Sequence, residues 1–219
     1  MRYGVLGTGT VGETIAARLI ELGHEVRMGS RSRGNPKAMA WAEGAGERAS
    51  HGTFAEAAAF GEVLVNCTAG MYALEALRAA GEEQVGGKVL VDISNALDFS
   101  GGSPPRVALP PEGSVAEQLQ AAFPDARVVK TLNTMNAAVM VDPGLLPGAH
   151  AAFLSGDDPA AKRQVGALLA DFGWPPEGIV DLGGLKTARG VEQYLPLWLN
   201  LMSVGGSALF NIAVVRAAP

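Results

Sequence analysis

The spacing of Gly7, Gly9 and Gly12 constrains this chain more than any other feature, because it stands between an apolar strand and an amphipathic helix. The strand is read at Arg2–Leu6. The helix carries Ile15, Leu19 and Ile20 on its apolar stripe and ends near Gly23. Within Gly7-Thr8-Gly9-Thr10-Val11-Gly12 the glycines have separate uses. The first permits a tight turn, the second lets backbone amides approach a ligand closely, and the third lets the helix pack on the strand. The unpaired N–H groups and the positive end of the helix dipole then face whatever lies above the turn, which suits a pyrophosphate. Strand, turn, helix and second strand in this order predict a dinucleotide site in which Thr8, Thr10 and Val11 complete the cradle.

The second strand, read at Glu25–Met28, decides which dinucleotide. An Asp or Glu at its end would accept hydrogen bonds from a ribose 2′-hydroxyl. None is present. The chain runs Met28-Gly29-Ser30-Arg31-Ser32-Arg33, with Lys37 close behind. A 2′-phosphate needs donors and positive charge, which Ser30, Arg31 and Arg33 would supply, so NADP(H) is the expected cofactor. Arg33 and Lys37 are equally readable as solvated surface cations.

Further apolar runs suited to buried parallel strands lie at Val63–Thr68, Lys88–Asp92 and Arg127–Thr131, with helical segments between them. Thr53 with Glu56, and Ser114 with Glu117, have capping-box spacing. The alternation predicts an α/β chain: a Rossmann-type doubly wound parallel sheet over residues 1–148, with a small C-terminal α/β unit over 149–219. The second unit is read as a strand at Ala151–Leu154, a helix capped by Asp158, a strand at Ile179–Asp181 and a helix from about Lys186. Residues 99–113, dense in Gly and Pro, are expected to form a surface loop that either covers the site or merely connects. The stretch from Tyr194 to Val215 has no charged residue and is long enough to span a bilayer. Pro196, Gly205, Gly206 and scattered Asn and Ser favour instead a buried helix pair at a domain or subunit interface.

Composition narrows the function classes. With 48% hydrophobic and 18% charged residues the chain is globular, and a net charge of −5 argues against nucleic-acid and membrane-surface partners, which need concentrated Lys and Arg. The single Cys67 allows no internal disulfide, and His24, His51 and His150 form no metal-ligand spacing with it. A reducing cytoplasm fits. The N-terminus enters a strand at once, without the features of a signal peptide.

The later strand ends should meet the reactive ring of the cofactor. They are Cys67-Thr68-Ala69-Gly70, Ile93-Ser94-Asn95-Ala96 and Thr131-Leu132-Asn133-Thr134, small and polar, with no clear acid or base. Cys67 reads as packing, His150 as exposed. Lys130 and Lys186 are the candidates for a proton donor, each with a plainer structural reading. No residue is therefore assigned a catalytic role. A hydride passing between two planar cofactors needs chiefly stacking at close approach, which accounts for this scarcity.

With these residues in place, the chain resembles the NADPH-dependent F420 reductase family, also called F420H2:NADP oxidoreductase. The resemblance covers Gly7–Gly12, Gly29-Ser30-Arg31, Val128-Val129-Lys130 leading to Asn133-Thr134, and Ser155-Gly156-Asp157-Asp158. It continues with Asp181-Leu182-Gly183, Ala188-Arg189, Glu192 and Leu195-Pro196-Leu197. It implies a homodimer in which the deazaflavin F420, as co-substrate, lies face to face on the nicotinamide. By position, Thr8, Ser30 and Arg31 would bind NADP phosphates. Thr68, Ala69, Gly70, Asn133 and Thr134 would border the rings, with Leu197 and Met202 shaping the deazaflavin pocket. Family members that use F420 can have His-Thr where this chain has Asn133-Thr134, and an Asn there would still donate a hydrogen bond. The same domain resembles the nucleotide module of membrane ferric reductases. Other acceptors (flavin, quinone, imine or carbonyl) and a non-catalytic NADP(H) sensor are the alternatives.

Overall fold

The computed structural model describes every residue except 103, 112, 216, 218 and 219. The first half alternates strands and helices: β1 (Arg2–Leu6), α1 (Thr10–Glu21), β2 (Glu25–Ser30), α2 (Pro36–Ala45), β3 (Ala49–Thr53), α3 (Phe54–Phe60), β4 (Val63–Asn66), α4 (Gly70–Ala80), α5 (Glu82–Val85) and β5 (Val89–Asp92). A short ribbon follows, β6 (Leu97–Asp98) and β7 (Arg106–Val107), then α6 (Val115–Ala122), β8 (Arg127–Thr131) and α7 (Ala137–Val141). The chain ends with β9 (Ala152–Gly156), α8 (Pro159–Asp171), β10 (Ile179–Asp181), α9 (Ala188–Gln193) and α10 (Leu195–Gly205).

Eight strands form one sheet in the order β10-β9-β8-β5-β4-β1-β2-β3. From β3 to β8 every neighbour is parallel, as a doubly wound fold requires. β9 then runs antiparallel to β8, and β10 parallel to β9. The segment from residue 149 thus extends the same sheet rather than building one of its own. Successive strand residues face opposite sides. Val5, Val65, Val91 and Val129 pack with α1, α7 and α8, while Leu6, Leu64, Leu90 and Val128 pack with α3, α4, α6 and α9. Leu64 and Leu90 are fully buried, each contributing about 1.5–3 kcal/mol of hydrophobic stabilisation.

Several local expectations are corrected. β3 was not legible, because Ala49-Ser50-His51-Gly52-Thr53 has neither an apolar run nor a clean alternation and forms a half-exposed edge. The expected loop over 99–113 contains one strand of the β6–β7 ribbon, paired through Leu97–Val107 and Asp98–Arg106; Ser103 and Glu112 lie outside the described residues. Thr53 and Glu56 form the expected reciprocal cap on α3. At α6 the Ser114 side chain caps as expected, accepting from Glu117 N at 3.2 Å, while its hydroxyl donates to the Glu117 carboxylate, which also binds Arg189, and a second carboxylate serves the next two amides.

The uncharged stretch is a single helix, not a pair. α10 ends where Gly206 takes a left-handed φ of 65°, and the irregular segment that follows passes residues 150–151, where Ala151 N donates to Ile212 O. Much of α10 is exposed rather than buried. Among the described residues no helix is long and apolar enough to cross a membrane. His150, expected at the surface, is half-buried: Nε2 pairs with Pro143 O, Nδ1 with Asn211 Nδ2, and the ring meets Trp174 edge-on.

Candidate active site

The chain adds strands outward from β1 to β3, then crosses back to β4 on the other side of β1. Such a switch leaves a crevice above the carboxyl ends of β1 and β4. A cleft of about 410 Å³ lies there, lined by Gly7, Thr8, Gly9, Ser30, Arg31 and Asn35 among others. Gly7 adopts φ 122°, which an L side chain rarely tolerates. A Cβ on Gly12 would lie 2.3 Å from Gly7 O, so this glycine lets α1 sit against the turn. A Cβ on Gly9 would meet nothing within 4 Å. No side chain caps α1, so its first amides are left for an anion.

β2 runs two residues beyond its expected end and finishes at Ser30, still without an acid. Ser30 Oγ donates to Ser32 O at 2.6 Å, fixing the turn that carries Arg31 into the cleft lining. Arg33 lies outside that lining and pairs with Glu56. The residues present fit a dinucleotide with a 2′-phosphate: an open glycine, a free helix end, and Arg31 where an acid would otherwise stand.

A second cleft of about 650 Å³ continues from the first, sharing Cys67, Thr68, Ala69 and Tyr72 with it. Thr10 and Val11 line its near side. Ile93, Ser94, Asn95 and Asn133 come from the ends of β5 and β8, Leu97 to Ser100 from the ribbon, and Leu195 and Trp198 from α10. The latter two are separated by one helical turn and share a face; Leu197 lies off that face, and Met202, a turn further along it, is outside the lining. Trp198 also stacks on Phe210 at 5.4 Å. Hydrogen bonds from Ser100, then from Arg106, hold the Asp98 carboxyl at about 2, so it is ionised at neutral pH. Burial, with Asp92 adding to it, pushes the Cys67 thiol up, so Cys67 has the packing role expected of it.

Neither candidate lysine lines these clefts. Lys186 is exposed. Lys130 is buried and its Nζ lies 2.8 Å from Asp92 Oδ2 and 3.0 Å from Glu192 Oε1, with Ser94 O also accepting. Burial pulls its pKa down, but the two carboxylates outweigh burial and the net direction is upward. Such an ammonium is a structural cation, not a proton donor. Glu192 in turn accepts from Val115 N and Ala116 N at 2.8 and 3.2 Å, so a carboxylate from α9 caps α6.

Asn133 is buried, and both of its amide hydrogens are engaged, one by Asn95 Oδ1 at 3.0 Å and one by Val191 O at 3.1 Å. It has no N–H left for an acceptor, contrary to expectation, and braces the cleft floor instead. Thr134 is buried outside the lining. Gly70 also lies outside it: a Cβ there would lie 2.5 Å from Ala96 N, so it brings the start of α4 against the segment that follows β5. Sequence reasoning missed Tyr72, Phe99 and Trp198, whose only signal was an aromatic placed near a strand end or on an uncharged helix.

A glycine turn under an uncapped helix, a basic turn after β2 and a contiguous ring-sized cleft define an NADP-dependent oxidoreductase of the Rossmann class. Residues 2–96 match the family described as NADP oxidoreductase, coenzyme F420-dependent. The F420-dependent NADP reductase of Methanothermobacter marburgensis is 31% identical over 212 residues, 92% of each chain. Rat (Rattus norvegicus) metalloreductase STEAP3 is 30% identical over 201 residues, 90% of this chain, which spans only 38% of that protein's length. A crystal structure from Arthrobacter sp. FB24, of a protein provisionally named an F420-dependent NADP-reductase, superposes with a TM-score of 0.90 at 46% identity, covering 99% of this chain and 100% of that one. The chain belongs to the coenzyme F420-dependent NADP oxidoreductase family.

Proposed function

We propose that the protein transfers a hydride between NADP(H) and the deazaflavin coenzyme F420. The observation that carries this reading is the continuity of the two clefts through Thr68, Ala69 and Tyr72, together with a ring end that, among the described residues, is lined by no Lys, His or Glu. When bound, the reduced nicotinamide supplies a hydride with its electron pair, and the proton that balances charge joins a ring nitrogen of the acceptor from solvent. The chain's residues bind and orient. Arg31 and the α1 amides hold phosphates, Gly9 leaves room for them, and Leu195 and Trp198 give the acceptor an apolar wall. A carbonyl or imine acceptor would need a positioned acid. Asp98 is ionised, Lys130 is sealed in the interior, and the Tyr72 side chain is largely exposed to solvent, so none of them is an enclosed acid.

Purified protein mixed with NADPH and oxidised F420 should bleach the deazaflavin absorbance, with NADH and free flavin as controls. Failure to bleach F420 despite NADPH binding would overturn the acceptor. A second reading, reduction of another flat ring such as a flavin or quinone, draws on Asn133, whose engaged amide offers an acceptor no N–H. The free-flavin arm tests it.

The working unit is proposed to be a homodimer. Leu197, Leu201 and Val204 form an exposed stripe along α10, 54%, 42% and 91% accessible, and Leu209, Val214 and Val215 in the segment that follows are exposed as well. Apolar exposure of this extent on one face suits a second copy of the chain. Light scattering on wild type and Leu201→Glu should report a dimer and a monomer; a monomeric wild type would overturn this.

A further inference from the structure

Asn66, Asp92 and Lys130 stand at the carboxyl ends of the adjacent strands β4, β5 and β8, all buried. Their hydrogen bonds run in one direction only. The Lys130 ammonium has donors and no acceptor, so Asp92 accepts from it at Oδ2, 2.8 Å away. Asp92 Oδ1 accepts from Ser94 N at 3.2 Å and faces the Asn66 side chain at 2.8 Å. A carboxylate beside an ammonium is an acceptor only, so Asn66 must turn its NH2 toward it. That fixes an amide whose two ends are otherwise interchangeable.

Asn66 Oδ1 therefore faces Thr68. It accepts from Thr68 N at 3.2 Å and from Thr68 Oγ1 at 2.7 Å. A threonine hydroxyl has one hydrogen, and here it is committed inward. Only lone pairs remain on Oγ1 for the cleft. A hydroxyl free to rotate would offer either role; this one offers acceptance alone. Thr68 lines both halves of the cleft, at the junction where the glycine-turn side meets the ring side.

We propose that Thr68 Oγ1 is held as an acceptor for a hydrogen-bond donor on the nicotinamide riboside half of NADP(H), a ribose hydroxyl or the carboxamide amine. Asp92, acting through Asn66, is the positioning residue. The inference rests on the NADP(H) reading. It makes the buried lysine–carboxylate cluster part of cofactor recognition as well as of the interior.

The test is a calorimetric titration of wild type, Thr68→Val, Thr68→Ser and Asp92→Asn with three probes. These are NADP⁺, its 3-acetylpyridine analogue, which lacks the amine, and adenosine 2′,5′-bisphosphate, which lacks the whole nicotinamide riboside. Thr68→Val should weaken NADP⁺ about five- to tenfold and leave the bisphosphate unchanged, while Thr68→Ser restores NADP⁺ affinity. Loss of the wild-type preference for NADP⁺ over the analogue identifies the amine as donor; equal weakening of both identifies a ribose hydroxyl. Asp92→Asn should weaken NADP⁺ while its bisphosphate affinity, which reports a folded site, persists. Unchanged NADP⁺ affinity in Thr68→Val, or equal losses for NADP⁺ and bisphosphate, overturns the role of Thr68. Full NADP⁺ affinity in Asp92→Asn overturns the relay. A wild type that binds NADP⁺ no better than NAD⁺, titrated beside it as a control, overturns the cofactor reading instead.

Discussion

Gly9 and Gly12, one helical turn apart, face opposite surroundings: a Cβ on Gly9 would meet nothing within 4 Å, and one on Gly12 would lie 2.3 Å from Gly7 O. The two positions therefore separate binding from folding. Gly12→Ala should destabilise the protein by about 1–3 kcal/mol through overpacking. Gly9→Ala should stay within about 0.5 kcal/mol of wild type. It should nonetheless bind NADPH about tenfold or more weakly, because the new methyl enters the space left for phosphate. Denaturant melts and NADPH titration of both variants check this; an intact affinity in Gly9→Ala would be inconsistent with the phosphate site.

Arg31 lines the cleft while Arg33 pairs with Glu56. Arg31→Ala should weaken NADPH binding by about 1.5–3 kcal/mol, the worth of a charge-assisted hydrogen bond, and leave NADH nearly unaffected. Arg33→Ala should do neither. Equal losses for the two cofactors on removing Arg31 would rule out its 2′-phosphate role.

Lys130 neutralises two buried carboxylates. Lys130→Met leaves Asp92 and Glu192 facing each other's charge in the interior and should cost about 3–5 kcal/mol of stability. Lys186→Ala, at an exposed position, should change neither stability nor turnover measurably. A stable Lys130→Met with lost turnover would instead point to a chemical role.

Trp198 lines the second cleft, where the acceptor is proposed to bind. Trp198→Ala should raise KM for the acceptor several-fold, as loss of binding shared by ground and transition states, and leave the NADPH Kd within about twofold. Steady-state kinetics beside NADPH titration distinguishes this from a collapsed site, which would lose both.

Acid should loosen the junction between α6 and α9. Hydrogen bonds from Arg189 hold the Glu117 carboxyl below its ordinary range against the opposing effect of burial, and Ser114 adds to them. A carboxyl with a depressed folded-state pKa contributes stability that is present above its unfolded value of about 4.3 and is lost as pH falls through the folded value. Glu117→Gln should therefore be less stable than wild type at pH 7, with the deficit shrinking toward pH 3. Urea melts across that range measure it; a constant deficit would mean the loss is steric.

The glycine turn and the basic turn were legible because each is a contiguous segment whose chemistry follows from its own residues, Gly7 to Gly12 and Gly29 to Arg31. The parallel core was legible for a related reason: Val63-Leu64-Val65 and Val89-Leu90-Val91 are apolar on both faces, as strands covered on both sides must be. What escaped depends on partners distant in sequence. Asp92 and Lys130 each follow an apolar pair within a strand pattern, a sign that their charges were compensated, but nothing local named Glu192 as the third member. Asn133 was assigned to the cleft from its place after β8; only the fold shows Asn95 and Val191 taking its hydrogens. On α10, an uncharged helix does not announce which side is inward, so nothing local distinguished Leu195 and Trp198 from Leu197 as lining residues.

α9 completes what the sheet begins. The Lys130 charge, the Asn133 amide and the first backbone amides of α6 all find partners at Val191 or Glu192. The nucleotide-binding portion is consequently no detachable cassette. A chain cut before α9 would carry every glycine of the fingerprint and still leave interior groups unsatisfied, so modular transplantation of this half onto another protein must take its last third along.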